Sequence, residues 1–215
     1  MLNIIDQKIE NYCSKKSSSP SEYCRAILEY TQKNVEWSQM LIGELEASFL
    51  RFLIRLGKVK TVLEIGCFTG YSALAMAEVL PSNGKVITLD IDPVNTVIAK
   101  RFWTKSPDGK KIKLILGPAT QTLKTLKAKF DFVFIDADKI NYLRYLKDVL
   151  PKLSRNGMVA VDNCLWSGEV IKKSRDEQTT ALQAFNDYVS KRQDLESTLV
   201  SIRDGIFLIR KKRSS

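Results

Sequence analysis

The chain has 215 residues, 44% hydrophobic and 27% charged, a composition ordinary for one folded domain with a sizeable core, and no run approaches the roughly 18 uncharged apolar residues of a membrane span. Histidine is absent, which excludes a Ser-His-Asp triad, an HExxH zinc site and histidine base catalysis together, so any metal must be held by oxygen or thiolate. The formal charge of +10 admits nucleic acid or an anionic surface as a partner, but the cations are scattered rather than gathered on one predicted helix, and solvated surface charge is the better reading.

The first eight residues lack the charged-then-apolar order of a signal peptide, so a cytoplasmic protein is expected. Cys13, Cys24, Cys67 and Cys164 lie far apart with no CxxC pair, which argues against a zinc knuckle or disulfide framework and suits a reducing compartment. Residues 17–21 (SSSPS) read as a loop, with Ser19 or Ser21 capping a helix over 22–33. A second helix over 44–56 follows from Leu45, Phe49, Leu50, Leu53 and Ile54 at helical spacing, and Gly57 closes it. Residues 1–56 are expected to form a helical cap on a core of residues 57–215, all within one domain.

From residue 61 strands and helices alternate. β-rich runs at 61–65, 85–89, 112–116, 130–135 and 158–161 are separated by helical stretches at 71–80, 93–103, 120–126 and 140–150. A further helix covers 178–192, and strands at 195–202 and 205–210 follow, joined by the tight turn Arg203-Asp204-Gly205. Apolar strands alternating with amphipathic helices predict an α/β, doubly wound sheet of about seven mostly parallel strands, with the last two as an antiparallel hairpin at one edge. Part of the positive charge sits in the tail 210–213 (RKKR). Ligands of such sheets collect at the carboxyl ends of the strands, where the strand order reverses.

The first strand runs into VLEIGCFTGYSA (62–73), whose Gly66 and Gly70 permit a tight turn and close approach of a ligand. The spacing is GxxxG rather than the GxGxxG of dinucleotide enzymes. Glu64 places a carboxylate where a pyrophosphate would otherwise sit, which suits a cationic ligand such as S-adenosylmethionine, and Ser72 could hold that ligand's carboxylate. The second strand ends in LDIDP (89–93), where Asp90 is the candidate acceptor for ribose hydroxyls and Asp92 a helix cap. After the third strand, GPAT (117–120) would border the adenine. Singly, each glycine is as well read as a turn and each Asp as a cap; their order after successive strands favours a nucleoside site.

The fourth strand ends in FVFIDADKINY (132–142) and the fifth in VDNCLWSGEV (161–170). If these strands are neighbours, their ends lie about 5 Å apart and Asp136, Asp162 and Asn163 can converge as hard oxygen ligands for a magnesium- or calcium-type cation. The alternative is that Asp136 caps the following helix and Asp162-Asn163 forms an Asx turn. Lys139 is a candidate general base if metal and sulfonium lower its pKa; otherwise it is a solvent-facing lysine.

Together these segments resemble the cation-dependent O-methyltransferases, which include the caffeoyl-CoA and catechol O-methyltransferases, over roughly residues 35–210. The resemblance implies a Rossmann-like fold, and cofactor contacts from Ile42, Glu64, Gly66, Cys67, Ser72, Asp90, Ala119 and Asp136. It also implies a divalent cation on Asp136, Asp162 and Asn163, Lys139 as base, Trp166 beside a small hydroxylated aromatic acceptor, and a homodimer. Cys67 stands where Thr or Ala is usual, residues 43–47 (GELEA) replace a stretch that usually carries Pro and Gln, and the serine-rich N-terminal region does not match. Catechol and CoA thioester acceptors both stay open. An RNA methyltransferase on the same fold is the alternative enzyme, disfavoured by the lack of an Asn/Asp-Pro-Pro-Tyr motif or a catalytic cysteine motif; a cofactor-binding scaffold without activity is the other alternative.

Overall fold

A computed structural model describes residues 5–212; the first four residues of the N-terminal segment and Arg213 of the basic tail lie outside the described residues. Three helices come first. Helix α1 (Gln7–Lys16) is capped by the Asp6 carboxylate, which accepts from the Lys8 N–H at 2.7 Å. It was not expected, because it buries no residue and so lacks the apolar periodicity that marks the others. In α2 (Glu22–Asn34) the Ser21 hydroxyl accepts from the Cys24 N–H at 3.1 Å, which settles the cap between the two candidate serines. Helix α3 (Glu44–Leu56) ends at Gly57, whose N–H donates to the Leu53 carbonyl.

The alternating part follows in chain order as β1 (Thr61–Ile65), α4 (Tyr71–Ala77), β2 (Lys85–Asp90), α5 (Pro93–Trp103), β3 (Ile112–Leu116), α6 (Ala119–Thr125), β4 (Phe130–Ile135), α7 (Tyr142–Val149), β5 (Leu153–Val161), α8 (Glu177–Lys191), β6 (Leu195–Val200) and β7 (Ile206–Lys211). The strands form one sheet in the order β3-β2-β1-β4-β5-β7-β6. β1 to β5 are mutually parallel, and β7 runs antiparallel to both β5 and β6. The expected seven strands and edge hairpin are both present.

Some boundaries differ from expectation for visible reasons. α4 stops at Ala77 rather than reaching residue 80, because the Lys111 ammonium takes the Ala77 and Leu80 carbonyls at 3.1 and 2.8 Å. β5 starts five residues early: its polar first half pairs with Phe130 before a register shift. The stretch over 140–150 opens with a 3-10 turn, Lys139–Asn141, before α7 begins.

Alternation along the strands sorts the core into two layers. Val62, Val86, Phe132, Phe134 and Ala160 face α2, α3, α4 and α5. Leu63, Leu89, Val133, Ile135 and Val161 face α6, α7 and α8. The expected N-terminal cap therefore divides: α2 and α3 belong to one covering layer, and α1 alone lies at the rim of the cleft. Strand order reverses between β1 and β4, and the polar ends of β1, β2, β4 and β5 open there.

Candidate active site

At that reversal lies a cleft of about 890 Å³, within the roughly 300–1,000 Å³ usual for small-molecule sites. One end is built on the loop after β1. Gly66 has φ +98°, and a Cβ there would stand 1.8 Å from the Asp136 carbonyl oxygen. Gly70, at φ +83°, would strike the Trp103 ring at 2.6 Å. Both glycines thus make the expected tight turn, and each is also required by the protein's own packing. The Asp90 carboxylate fastens the loop: its Oδ2 accepts from the N–H groups of Cys67 and Phe68 at 2.7 and 2.8 Å, and its Oδ1 from Asp92 N–H at 2.8 Å. Asp92 is the expected cap of α5, accepting from Val94 and Asn95.

Glu64 lies beneath this loop, wholly buried, with Thr88 Oγ1 donating to its Oε2 at 2.5 Å and its Oε1 left without a partner. Burial pushes its carboxyl up to about 8, against the opposing Ser72 and Thr88 hydroxyls. An orphaned buried acid of this kind fits a cationic group on the ligand. Ile42, Cys67, Ser72 and Ala119 line the same end of the cleft, with Gly66 and Asp90, while Glu64 itself stays behind the wall.

The other end is built on the ends of β4 and β5, which pair as neighbours. Lys139 is buried, contrary to the solvent-facing alternative, and all three of its ammonium protons are used. They go to Asp136 Oδ1 at 3.0 Å, Asn163 Oδ1 at 2.6 Å and the Tyr142 hydroxyl at 2.5 Å. Asp136 therefore does not cap the following turn, which starts at Asp138. Asp162 is 2% exposed and accepts from the Asn163 N–H at 2.6 Å. Burial, then the charge of Asp136, pushes its carboxyl up to about 7, with Lys139 and Arg203 opposing. Burial and the same two carboxylates hold Tyr142 as a neutral phenol. Asn163, Trp166 and Ser167 all take left-handed backbone conformations, and the Lys139 ammonium is 5.9 Å from the Trp166 ring centre.

Asp136 and Asn163 already share one cation, the lysine ammonium, and Asp162 adds a carboxylate that burial leaves short of positive charge. That donor chemistry, two carboxylates and an amide oxygen, fits a hard divalent cation. Among the described residues no group of three or more His, Cys, Asp or Glu side chains takes a metal-binding arrangement, so a third protein donor has to be the Asn163 amide.

Every cleft residue named from the sequence, Glu64 excepted, lines this one cavity. Others were missed. Tyr145 reaches it from α7, its hydroxyl donating to Asp138 Oδ1 at 2.5 Å; it sits one helical turn past Tyr142, a spacing that could have flagged it. Gln7 and Glu10 of α1, Gln178 of α8, and Arg203 and Asp204 of the β6–β7 turn also line the wall. Nothing in the sequence marks Gln7 or Glu10. Seven acidic side chains face the cleft (Glu10, Asp90, Asp92, Asp136, Asp138, Asp162 and Asp204) against two basic ones, Lys139 and Arg203.

Comparison with known proteins agrees with this arrangement. The O-methyltransferase family profile matches residues 14–212, starting well before the segment where the resemblance was legible. "Probable caffeoyl-CoA O-methyltransferase 1" of Dictyostelium discoideum is 32% identical over 213 residues, covering 96% of this chain and 93% of its own length. The caffeoyl-CoA O-methyltransferase of Petroselinum crispum is 32% identical over 88% of this chain and 84% of its own. The crystal structure of Podospora anserina methyltransferase PaMTH1, bound to SAH, superposes with a TM-score of 0.88 at 31% identity, covering 96% of this chain and 94% of that one.

Proposed function

Since the chain belongs to the O-methyltransferase family, we propose that it transfers a methyl group from S-adenosylmethionine to a hydroxyl of a small hydroxylated aromatic, assisted by a divalent cation held on Asp136, Asp162 and Asn163. The observation that carries this is the placing of Lys139, Asp136, Asp162 and Asn163 in the same cleft as Gly66, Ser72 and Asp90, the candidate nucleoside residues.

Glu64, behind the wall in the cofactor-free chain, offers its unpartnered Oε1 to the ammonium of the cofactor's amino-acid part, and Ser72, on the wall itself, meets the carboxylate. Asp90 accepts from the ribose hydroxyls while its backbone bonds hold the loop in place, and Ala119 and Ile42 pack against the base and the neck of the ligand. Bound there, S-adenosylmethionine supplies an electrophilic methyl group, and a cation on the three oxygen donors supplies the charge that lowers an acceptor hydroxyl's pKa. Lys139 acts as base from its neutral amine form, reached by releasing one ammonium proton to solvent: the amine takes the acceptor's proton and returns to the ammonium that Asp136, Asn163 and Tyr142 hold in place. The Trp166 ring holds the aromatic acceptor, so that alignment rather than covalent chemistry is the chain's main contribution. A homodimer belongs to the same proposal, supported by the exposed Phe52 and Leu56 of α3, and so does a cytoplasmic site, supported by four free cysteines.

The test is methyl transfer from labelled S-adenosylmethionine to a panel of catechols and caffeoyl esters, with magnesium and with EDTA, in the wild type and Asp162→Ala. Transfer that EDTA and the substitution both abolish supports the whole proposal. Activity undiminished in EDTA removes the cation from it, and tight cofactor binding with no transfer to any phenol removes the acceptor class.

A further inference from the structure

Arg203 is out of place as a turn residue. It holds φ +49°, a left-handed conformation that an arginine side chain does nothing to favour, immediately before Asp204-Gly205. The side chain turns inward and packs its Nε against Gly43, where a Cβ would stand at 3.3 Å. Its Nη1 donates to the Leu41 carbonyl at 3.3 Å and pairs with Glu46 Oε2 at 3.0 Å; its Nε lies 3.6 Å from Glu10 Oε1. Glu46 is wholly buried and its Oε1 has no other partner. One guanidinium thus joins α1, the chain before α3 and α3 itself to the β6–β7 turn.

The position of these partners in the cleft is what gives the contact meaning. Glu10, Leu41 and Arg203 all line the same cleft as Lys139 and Trp166. Helix α1 buries no residue of its own, and besides Arg203 its polar ties to the rest of the chain include Ser14 Oγ to Glu44 at 3.3 Å. A ten-residue helix without a buried face has little to hold it in place by itself.

We infer that Arg203 is a positioning residue for the acceptor: through Glu46 and Glu10 it braces α3 and α1 against the β6–β7 turn, and by neutralising Glu10 it keeps that wall from selecting amines over uncharged or anionic phenols. The inference rests on the O-methyltransferase reading for its acceptor part, while the brace stands on geometry alone.

Arg203→Gly removes the side chain and suits the backbone, so the variant keeps its turn; Arg203→Lys keeps the charge. Amide hydrogen exchange would be measured in α1 and in the sheet, alongside kcat/KM for catechol, dopamine and caffeate. In Arg203→Gly, α1 is expected to exchange about fivefold or more faster with the sheet unchanged, and the dopamine-to-caffeate ratio to rise about tenfold as the Glu10 carboxylate on the wall loses its partner. Arg203→Lys should lie near the wild type in both. A merely structural arginine would lower all three acceptors alike and speed exchange across the sheet. Unchanged protection of α1 in Arg203→Gly overturns the brace, and an unchanged ratio overturns the charge role. A wild type that methylates none of the three acceptors defeats the functional reading, yet the exchange measurement still decides the brace.

Discussion

Glu64→Gln separates two effects of one buried carboxylate. Without cofactor, Glu64 has an empty oxygen, no cationic neighbour among the causes acting on it, and a carboxyl pushed from 4.5 up to about 8 by burial. A folded-state value above the unfolded one means stability that is complete below about pH 4.5 and is lost as pH rises through about 8. At 1.36 kcal/mol per pH unit the full loss is about 5 kcal/mol, and relaxation around the buried charge reduces it to roughly 2–4 kcal/mol. Glutamine keeps the Thr88 hydrogen bond and cannot ionise. The cofactor-free variant should therefore match the wild type near pH 5 and exceed it by that amount at pH 8.5, measured by urea unfolding at both values. Binding should move the other way. A charge-assisted hydrogen bond contributes about 1.5–3 kcal/mol, so S-adenosylhomocysteine should bind the variant roughly 10- to 150-fold more weakly by calorimetry. Parallel stability curves for the two proteins, or equal affinities, would refute the account of Glu64 as an acid held in reserve for a cationic ligand.

Lys139→Met should lower kcat by about 10²- to 10⁴-fold while leaving S-adenosylhomocysteine affinity within about threefold, since Lys139 bonds only acceptor-end groups; titration calorimetry beside steady-state rates checks this. Gly66→Ala puts a methyl 1.8 Å from the Asp136 carbonyl at φ +98°, and a loss of about 3 kcal/mol or more in chemical unfolding is expected. Trp103→Phe removes the 2.9 Å bond from Nε1 to the Gly70 carbonyl, which still accepts from the Leu74 N–H, so the loss in chemical unfolding should be that of one hydrogen bond, about 0.5–1.5 kcal/mol.

The strand ends were legible because near-continuous apolar runs closed by glycine or acid mark strands buried on both faces: β1 and β4 start and stop where the sequence put them. The grouping of Asp136, Asp162 and Asn163 was legible too, because it needs only that β4 and β5 be neighbours. What the sequence hid lies in contacts between distant segments. Helix α1 has no apolar stripe to announce it, so neither it nor Glu10 could be placed. Arg203 reads as a turn residue, and its partner Glu46 lies 157 positions earlier. The tight turn at the glycine loop was legible from its spacing, but not that Gly66 also makes room for the backbone of Asp136 and Gly70 for the Trp103 ring, both of them distant in sequence.

The distribution of charge bears on which acceptor can enter. The chain carries 34 basic and 24 acidic residues, yet seven acidic side chains and only two basic ones face the cleft. Both bases are engaged, Lys139 by Asp136 and Arg203 by Glu46. The positive excess therefore lies on the outer surface, where salt screens it, and the cleft presents the opposite sign to anything entering. That field attracts a sulfonium cofactor and a divalent cation, and it does not oppose an uncharged phenol. It opposes an RNA strand, whose phosphates would have to pass the same carboxylates with no free lysine or arginine among the described lining residues to receive them. The net charge that first suggested nucleic acid thus argues, once located, for a small acceptor.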